Sequence, residues 1–388
     1  MAKNNATTAL GEDIRSQFPI FGNRVYLNSC SQGALSDSVR EAYESYLDGL
    51  ATEGSQWDLW MDNVERVRGA FAQILHTAPA NVAVIGSASA GVNAVASALD
   101  YTERSTVVTT SLEFPTIGQI WRAQERRGAK VVEVAEEPDG TLSLERLSEA
   151  IDERTAIVSV TQVCYRNGSR LDIDAIAKLA HERGALLLVD AYQATGAVPV
   201  DVSTSAADFV VGGSLKYLLG SPGVAYLYAN PETTGHLVPT STGWLADQNI
   251  GAMQISRYQP ASDARRFEAG TPAVPALFAA IAGIELMLGI GIERTAAHVN
   301  GLNDKLIDEV LTLGGKVATP HDRSRRGPLI AIVSSDAELL VQRLATENIV
   351  TSSRGGNLRV SAHCYNTDAD IDKLLAVLQK NRILLKPH

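Results

Sequence analysis

Strand-like apolar runs recur through the middle of the chain, at Thr106–Thr110, Lys130–Val134, Ala156–Val160, Ala185–Val189 and Phe209–Val211. Helix-patterned stretches separate them, and that alternation predicts an α/β fold with a mostly parallel sheet, of the seven-stranded type. The clearest helix pattern runs from Leu171 to Arg183, with Ile173, Ile176, Leu179 and Ala180 on one face and Gly184 as C-terminal cap. From about Gly251 the pattern changes to a long helical region, Pro275 to Val310, and then a shorter mixture that ends in a helix from Ile371 to Asn381. The expected division is a large domain over 21–255 and a smaller α+β C-terminal domain over 256–388, completed by residues 1–20. There is no internal repeat or low-complexity tract.

Ligands of open parallel sheets gather at the carboxyl ends of the strands, so the residues there carry the chemistry. Ala185–Val189 is apolar throughout, which predicts burial on both faces, and it ends in Asp190. A carboxylate in that position is poorly solvated and calls for a cation. A protonated pyridine nitrogen is such a cation, and a carboxylate that holds its proton keeps the ring an electron sink. The local alternative is a helix cap or turn residue. Gln193, three residues on, can donate to the phenolic oxygen of the same ring. Lys216 stands at the mouth of the strand Phe209–Val211, wrapped in glycines and followed by a second apolar run. Desolvation there favours the neutral, nucleophilic amine that a Schiff base with an aldehyde cofactor requires. Taken alone it also fits a surface lysine at a strand end.

Two further segments suit anions. Gly86–Asn93 follows the apolar run Val82–Ile85 and opens a helix, so small residues, Ser89 among them, let backbone N–H groups and a hydroxyl meet a phosphate. An ordinary strand-to-helix turn would read the same way. Arg359, in Asn357–Thr367, offers the planar, bidentate cation that a substrate carboxylate needs. Arg354 is its rival, and a solvated arginine on an amphipathic strand is the bland reading.

The 388 residues carry 34 Lys and Arg against 44 Asp and Glu, and no basic block, which argues against nucleic-acid or anionic-membrane partners. The first twenty residues are too polar for a signal peptide and no apolar run is long enough to span a bilayer, so a cytoplasmic location is expected. Cys30, Cys164 and Cys364 are too widely spaced for a metal pattern or a disulfide framework, and no metal is expected. Gly289-Ile-Gly291 lacks its third glycine and lies in a helical pattern, so it is no dinucleotide fingerprint.

Taken together these segments resemble the pyridoxal-phosphate enzymes of fold type I, in the class V aminotransferase group that includes kynureninases and cysteine desulfurases. Tyr26–Leu35 is similar to the kynureninase opening segment, and Arg266-Phe-Glu-Ala-Gly-Thr271-Pro272 to the segment that class V enzymes send across a dimer interface. The resemblance implies pyridoxal phosphate on Lys216, Asp190 at the pyridine nitrogen, and Ala88 (backbone), Ser89, Ser214 and the partner's Thr271 around the phosphate. It places Phe114 over the ring, Tyr165 beside it and Trp244 near the phosphate. Arg359 takes the substrate carboxylate, and Asn23 and Asn28 to Gly33 border the substrate pocket. Each active site then needs both chains of a homodimer. The chain also departs from its relatives. Leu215 replaces a histidine or tyrosine before the lysine, Ala88 replaces a threonine, and Phe114 cannot shuttle protons as the desulfurase histidine does. Cys364 follows Arg359 rather than preceding it on a loop, so a persulfide mechanism lacks its nucleophile. The expected reaction is cleavage at the β carbon of an amino acid. Transamination and epimerisation are the alternatives within the family, and a non-catalytic cofactor- or metabolite-binding protein is the alternative outside it.

Overall fold

The protein is described by a computed structural model that covers residues 5–385. The apolar runs form neighbouring strands of one seven-stranded sheet, in the order Val82–Ile85, Ala225–Ala229, Phe209–Gly213, Leu186–Asp190, Thr155–Thr161, Thr106–Thr110, Lys130–Val134. Ala225–Ala229 alone runs against its neighbours, and every other pairing is parallel. The central strands are continuous apolar runs because both faces are covered. Leu187, Val189 and Val210 enter one core cluster, and Leu188, Val211 and Ile157 enter another on the opposite face. Each such side chain contributes roughly 1.5–3 kcal/mol by leaving water.

Local signals set the helix ends. Ile173–Glu182 begins where Asp172 Oδ1 accepts the Ala175 N–H at 3.0 Å, and stops before Gly184, whose φ of +68° no other residue adopts as cheaply. The helical region expected as one piece over Pro275–Val310 is two helices, Val274–Ile290 and Ile292–Thr312, bent by 76° at Gly291. Gly291 sits at φ +92°, which ends the first helix. The first helix is apolar all round and packs between Asp37–Thr52 and Trp57–Ile74. Its Leu277, Ile284 and Met287 belong to the core of the large sheet, whereas Leu302, Leu306 and Val310 of the second belong to the core of the small one. The helix Val274–Ile290, expected in the smaller domain, thus packs into the core of the large sheet.

The small core carries an antiparallel sheet of Ser352–Arg354, Asn357–Ser361 and Leu329–Val333. The N-terminal segment joins it through Val25–Tyr26, which pairs in parallel with Ile349–Val350, and through a bridge from Asn28 to Ser361. Arg15 clips the same segment to Asp370 with hydrogen bonds of 2.7 and 2.9 Å. Among the described residues no single helix is long and apolar enough to cross a membrane.

Candidate active site

The carboxyl ends of two adjacent strands bring the amine and the acid together. Asp190 is the last residue of Leu186–Asp190, buried, and its Oδ1 accepts the Tyr192 N–H at 2.9 Å. Burial holds its carboxyl above the ordinary range, while the Tyr192 hydrogen bond and the Lys216 charge pull it back. Lys216 follows Phe209–Gly213, half-buried, with Nζ 4.6 Å from the centroid of the Tyr192 ring. Desolvation lowers its ammonium from 10.5 to about 8; Asp190 and Cys30 oppose that shift and Arg359 adds to it. An amine so placed is substantially neutral in mildly alkaline water, as a nucleophile must be. The N-terminal segment closes over this loop at Gly33. Its N–H donates to the Leu215 carbonyl at 3.0 Å, and a Cβ there would lie 2.3 Å from the Lys216 carbonyl oxygen.

Arg359 lies near enough for its charge to act on Lys216. It lies on Asn357–Ser361, only 3 % exposed, and no carboxylate among the described residues is within ion-pair distance. Neutral groups hold it instead. Nη1 donates to the Tyr165 carbonyl at 2.8 Å, and Nη2 donates to the hydroxyls of Ser352 at 2.9 Å and Ser31 at 3.2 Å. Both serines donate in turn to Asn28 Oδ1, at 2.8 and 2.9 Å. Asn28 therefore acts on the arginine through two hydroxyls. Nε is buried without a partner. Arg354 is exposed on the neighbouring strand and reaches only the Ser353 carbonyl, at 3.5 Å.

The expected phosphate and ring contacts divide. Ala88 and Ser89 open the helix Ala88–Ala98, whose cap is Ser87, with Oγ accepting the Ala90 N–H at 3.1 Å. The Ala88 and Ser89 amides have no carbonyl inside the helix, so they are free first-turn donors. The Ser89 hydroxyl shares a 2.9 Å hydrogen bond with Thr116, at the start of Pro115–Ala123. Phe114 is 44 % exposed and meets Tyr165 edge to face at 5.0 Å. Gln193 is buried, with Nε2 donating to the Cys30 carbonyl at 3.1 Å; its remaining N–H is the donor a phenolic oxygen would use. Ser214 does not fit its expected part. Its hydroxyl donates inside the turn to the Ser221 carbonyl at 2.8 Å, with Val224 O at 3.1 Å, so it is committed to backbone acceptors rather than a phosphate.

Trp244 and Thr271 touch none of these groups within one chain. Trp244 Nε1 donates to the Ile250 carbonyl at 2.9 Å and its ring packs on Trp57, and Thr271 is exposed. The segment around Thr271 is anchored nonetheless. Glu268 Oε1 binds Arg68 Nη1 at 2.5 Å and the Val84 N–H at 2.8 Å, both buried, so Ala269 to Thr271 stand out from a fixed base.

Ser31 lies in the Asn28–Gly33 segment expected at the substrate pocket, whereas Ser352, Tyr192 and Glu113, a buried carboxyl next to Phe114, were not anticipated. Glu113 had a legible signal, a carboxylate just beyond an apolar strand, the same one that revealed Asp190. All three cysteines are buried, and desolvation raises the thiols of Cys164 and Cys364. No cluster of His, Cys, Asp and Glu among the described residues could hold a metal ion.

The family model for class-V aminotransferases matches residues 25–374. An uncharacterized aminotransferase of Bacillus subtilis is 33 % identical over 364 residues, covering 93 % of this chain and 95 % of the relative. The kynureninase of Pseudomonas fluorescens is 27 % identical over 363 residues, covering 88 % and 84 %. A probable cysteine desulfurase of Methanothermobacter thermautotrophicus is 26 % identical over 398 residues, covering 95 % and 97 %. Among solved structures, a mutant C-DES with glycine covalently linked to its PLP cofactor superposes with a TM-score of 0.86 at 21 % identity, covering 94 % and 98 %. That likeness shows a common fold.

Proposed function

The chain belongs to the class-V aminotransferase family, and from that premise we propose that it uses pyridoxal phosphate on Lys216 to break a bond at the β carbon of an α-amino acid. When bound, the cofactor supplies an electron sink for negative charge at the substrate's α carbon. Asp190 holds the proton of the pyridine nitrogen, and the first-turn amides of Ala88 and Ser89 take the phosphate at the positive end of their helix. Arg359 takes the substrate carboxylate, and the Lys216 amine moves the α proton. One observation carries this reading. A buried arginine with no anion lies within electrostatic reach of a half-buried lysine shifted to about 8 beside Asp190.

Phe114 supports β cleavage over a desulfurase route, because a phenyl ring covers a cofactor without moving protons. Burial of all three cysteines supports a route with no persulfide on the protein. Thr271, exposed just beyond the anchored Glu268, and the half-buried Trp244 complete the partner's site in a cytoplasmic homodimer under this reading. Transamination is the second reading, favoured by the 33 % identity to a relative named as an aminotransferase. Incubation with an amino-acid library and mass spectrometry of the products decides between them. Fragments with the cofactor unchanged support cleavage, whereas keto acid with aminated cofactor overturns it. Inverted chirality would make the enzyme an epimerase.

A further inference from the structure

A second buried carboxyl lies one strand away from Asp190, and the chemistry above does not use it. Glu113 follows Thr106–Thr110 by three residues, directly before Phe114, and is 8 % exposed. Its Oε1 accepts the Thr161 N–H at 2.5 Å and the Thr110 hydroxyl at 3.2 Å, while Oε2 is buried with no partner. The ladder between Thr106–Thr110 and Thr155–Thr161 reaches only Thr109 and Ser159, so beyond that pair the carboxyl itself ties the strand ends together. On its other side Thr161 is in register with Asp190, and the Gln162 N–H donates to the Asp190 carbonyl at 2.8 Å. Glu113 therefore touches two things at once, the base of the Phe114 ring and the end of the strand that pairs with the one carrying Asp190.

The charges around it leave little choice of protonation state. Asp190 lies on the far side of Thr155–Thr161, close enough for its charge to act on Glu113, with Lys216 and Tyr192 beyond Asp190. From the loop after Thr161, Tyr165 meets Phe114, and Arg166 is paired with Glu136 at 3.0 Å while donating to the Ser111 carbonyl. No cation among the described residues lies within ion-pair distance of Glu113. Ionised, Glu113 would add a second anion to a low-dielectric interior where Lys216 already answers Asp190; neutral, it leaves only one hydroxyl without an acceptor. Burial and the Asp190 charge both push its carboxyl well above the ordinary range.

We propose that Glu113 is a positioning residue held as a neutral carboxylic acid, which clamps the splayed strand ends beneath Phe114 and leaves Asp190 as the single anion facing the pyridine nitrogen. The proposal rests on the assignment of Asp190 made above. An acid whose folded pKa exceeds its unfolded value contributes fully below the ordinary carboxylate range, and that contribution is lost as pH rises towards the folded value. Glu113→Gln keeps the acceptor for Thr161 and removes the titration, whereas Glu113→Ala removes the clamp.

The test measures two properties of the wild type, E113Q and E113A. They are the melting temperature of the cofactor-free protein at pH 5 and pH 9, and the affinity and visible band of added pyridoxal phosphate at pH 7. E113Q should bind within about threefold of wild type with the same band, and E113A should bind at least about tenfold more weakly, one lost hydrogen bond to a fixed strand end. E113Q should also gain on wild type in melting temperature between pH 5 and pH 9. Equal damage in E113Q and E113A at pH 7, or the same pH dependence of melting in E113Q and wild type, overturns the proposal. If E113A does not fold, the melting comparison of E113Q decides alone. A parallel D190N variant separates the two readings. Unchanged cofactor affinity and band in D190N would refute the assignment of Asp190, whereas damage there beside a silent pH comparison would refute only the role of Glu113.

Discussion

Under the proposed function the cofactor ring meets a group built on one sheet: Asp190 ends a strand in register with the next, and Lys216 and Glu113 each follow a strand of the same sheet by three residues. At the carboxylate end, Arg359 is held by Ser31, Tyr165 and Ser352, which are 328, 194 and 7 residues away in sequence. The charges differ as well. Asp190 and Lys216 oppose one another, so the ring end is compensated before any ligand arrives. Arg359 has only neutral acceptors and awaits an anion. Under the proposed function, cofactor retention and substrate selection are therefore expected to be separable, one governed by the sheet and the other by a hydroxyl network.

Lys216→Ala breaks the ring end and should have the largest effect. Turnover should fall on the order of 10⁴-fold with loss of covalent attachment of the cofactor, measured with the amino acid that the product screen identifies. Arg359→Ala should break the other end alone, lowering kcat/KM by about 30- to 4,000-fold, the loss of a desolvated ion pair worth roughly 2–5 kcal/mol. That loss should appear in KM, with cofactor affinity within about threefold of wild type, while Arg354→Ala changes neither. Loss of cofactor binding in Arg359→Ala would mean that the ends are coupled.

How far each end can be read from sequence follows from how it is built. Asp190 and Lys216 were legible because apolar runs of strand length stop at charged residues, and a sheet puts such stops side by side. Arg359 was legible from its strand and Ser31 from the Asn28–Gly33 segment, but Ser352 and the bonds of both serines to the arginine were not, since a serine in a polar stretch has no periodicity. Ser214 shows the converse. A serine before a tight turn reads alike whether its hydroxyl faces a ligand or returns to Ser221 and Val224. The break at Gly291 escaped for a related reason: a glycine between two helical patterns does not announce its positive φ.

Smaller perturbations sharpen the contrast. Ser352→Ala removes one of two hydroxyls from Arg359 and should raise KM about tenfold, with kcat little changed. Restoration by Ser352→Thr would confirm that the hydroxyl acts, and an equal fall in cofactor affinity would place Ser352 at the ring end instead. The smallest effect is one of pH. Because burial lowers the Lys216 ammonium from 10.5 to about 8, the rate at which the cofactor-free enzyme takes up pyridoxal phosphate should climb with pH and level off above about 8. A rate still climbing at pH 10 would show an ordinary, solvated lysine.

The central claim is that Lys216 carries the cofactor, and borohydride reduction of the cofactor-loaded protein followed by peptide mass spectrometry tests it directly. The visible band should disappear, and the peptide containing Lys216 should gain the mass of the reduced cofactor. A protein with no visible band, or a label on a different lysine, would contradict the account.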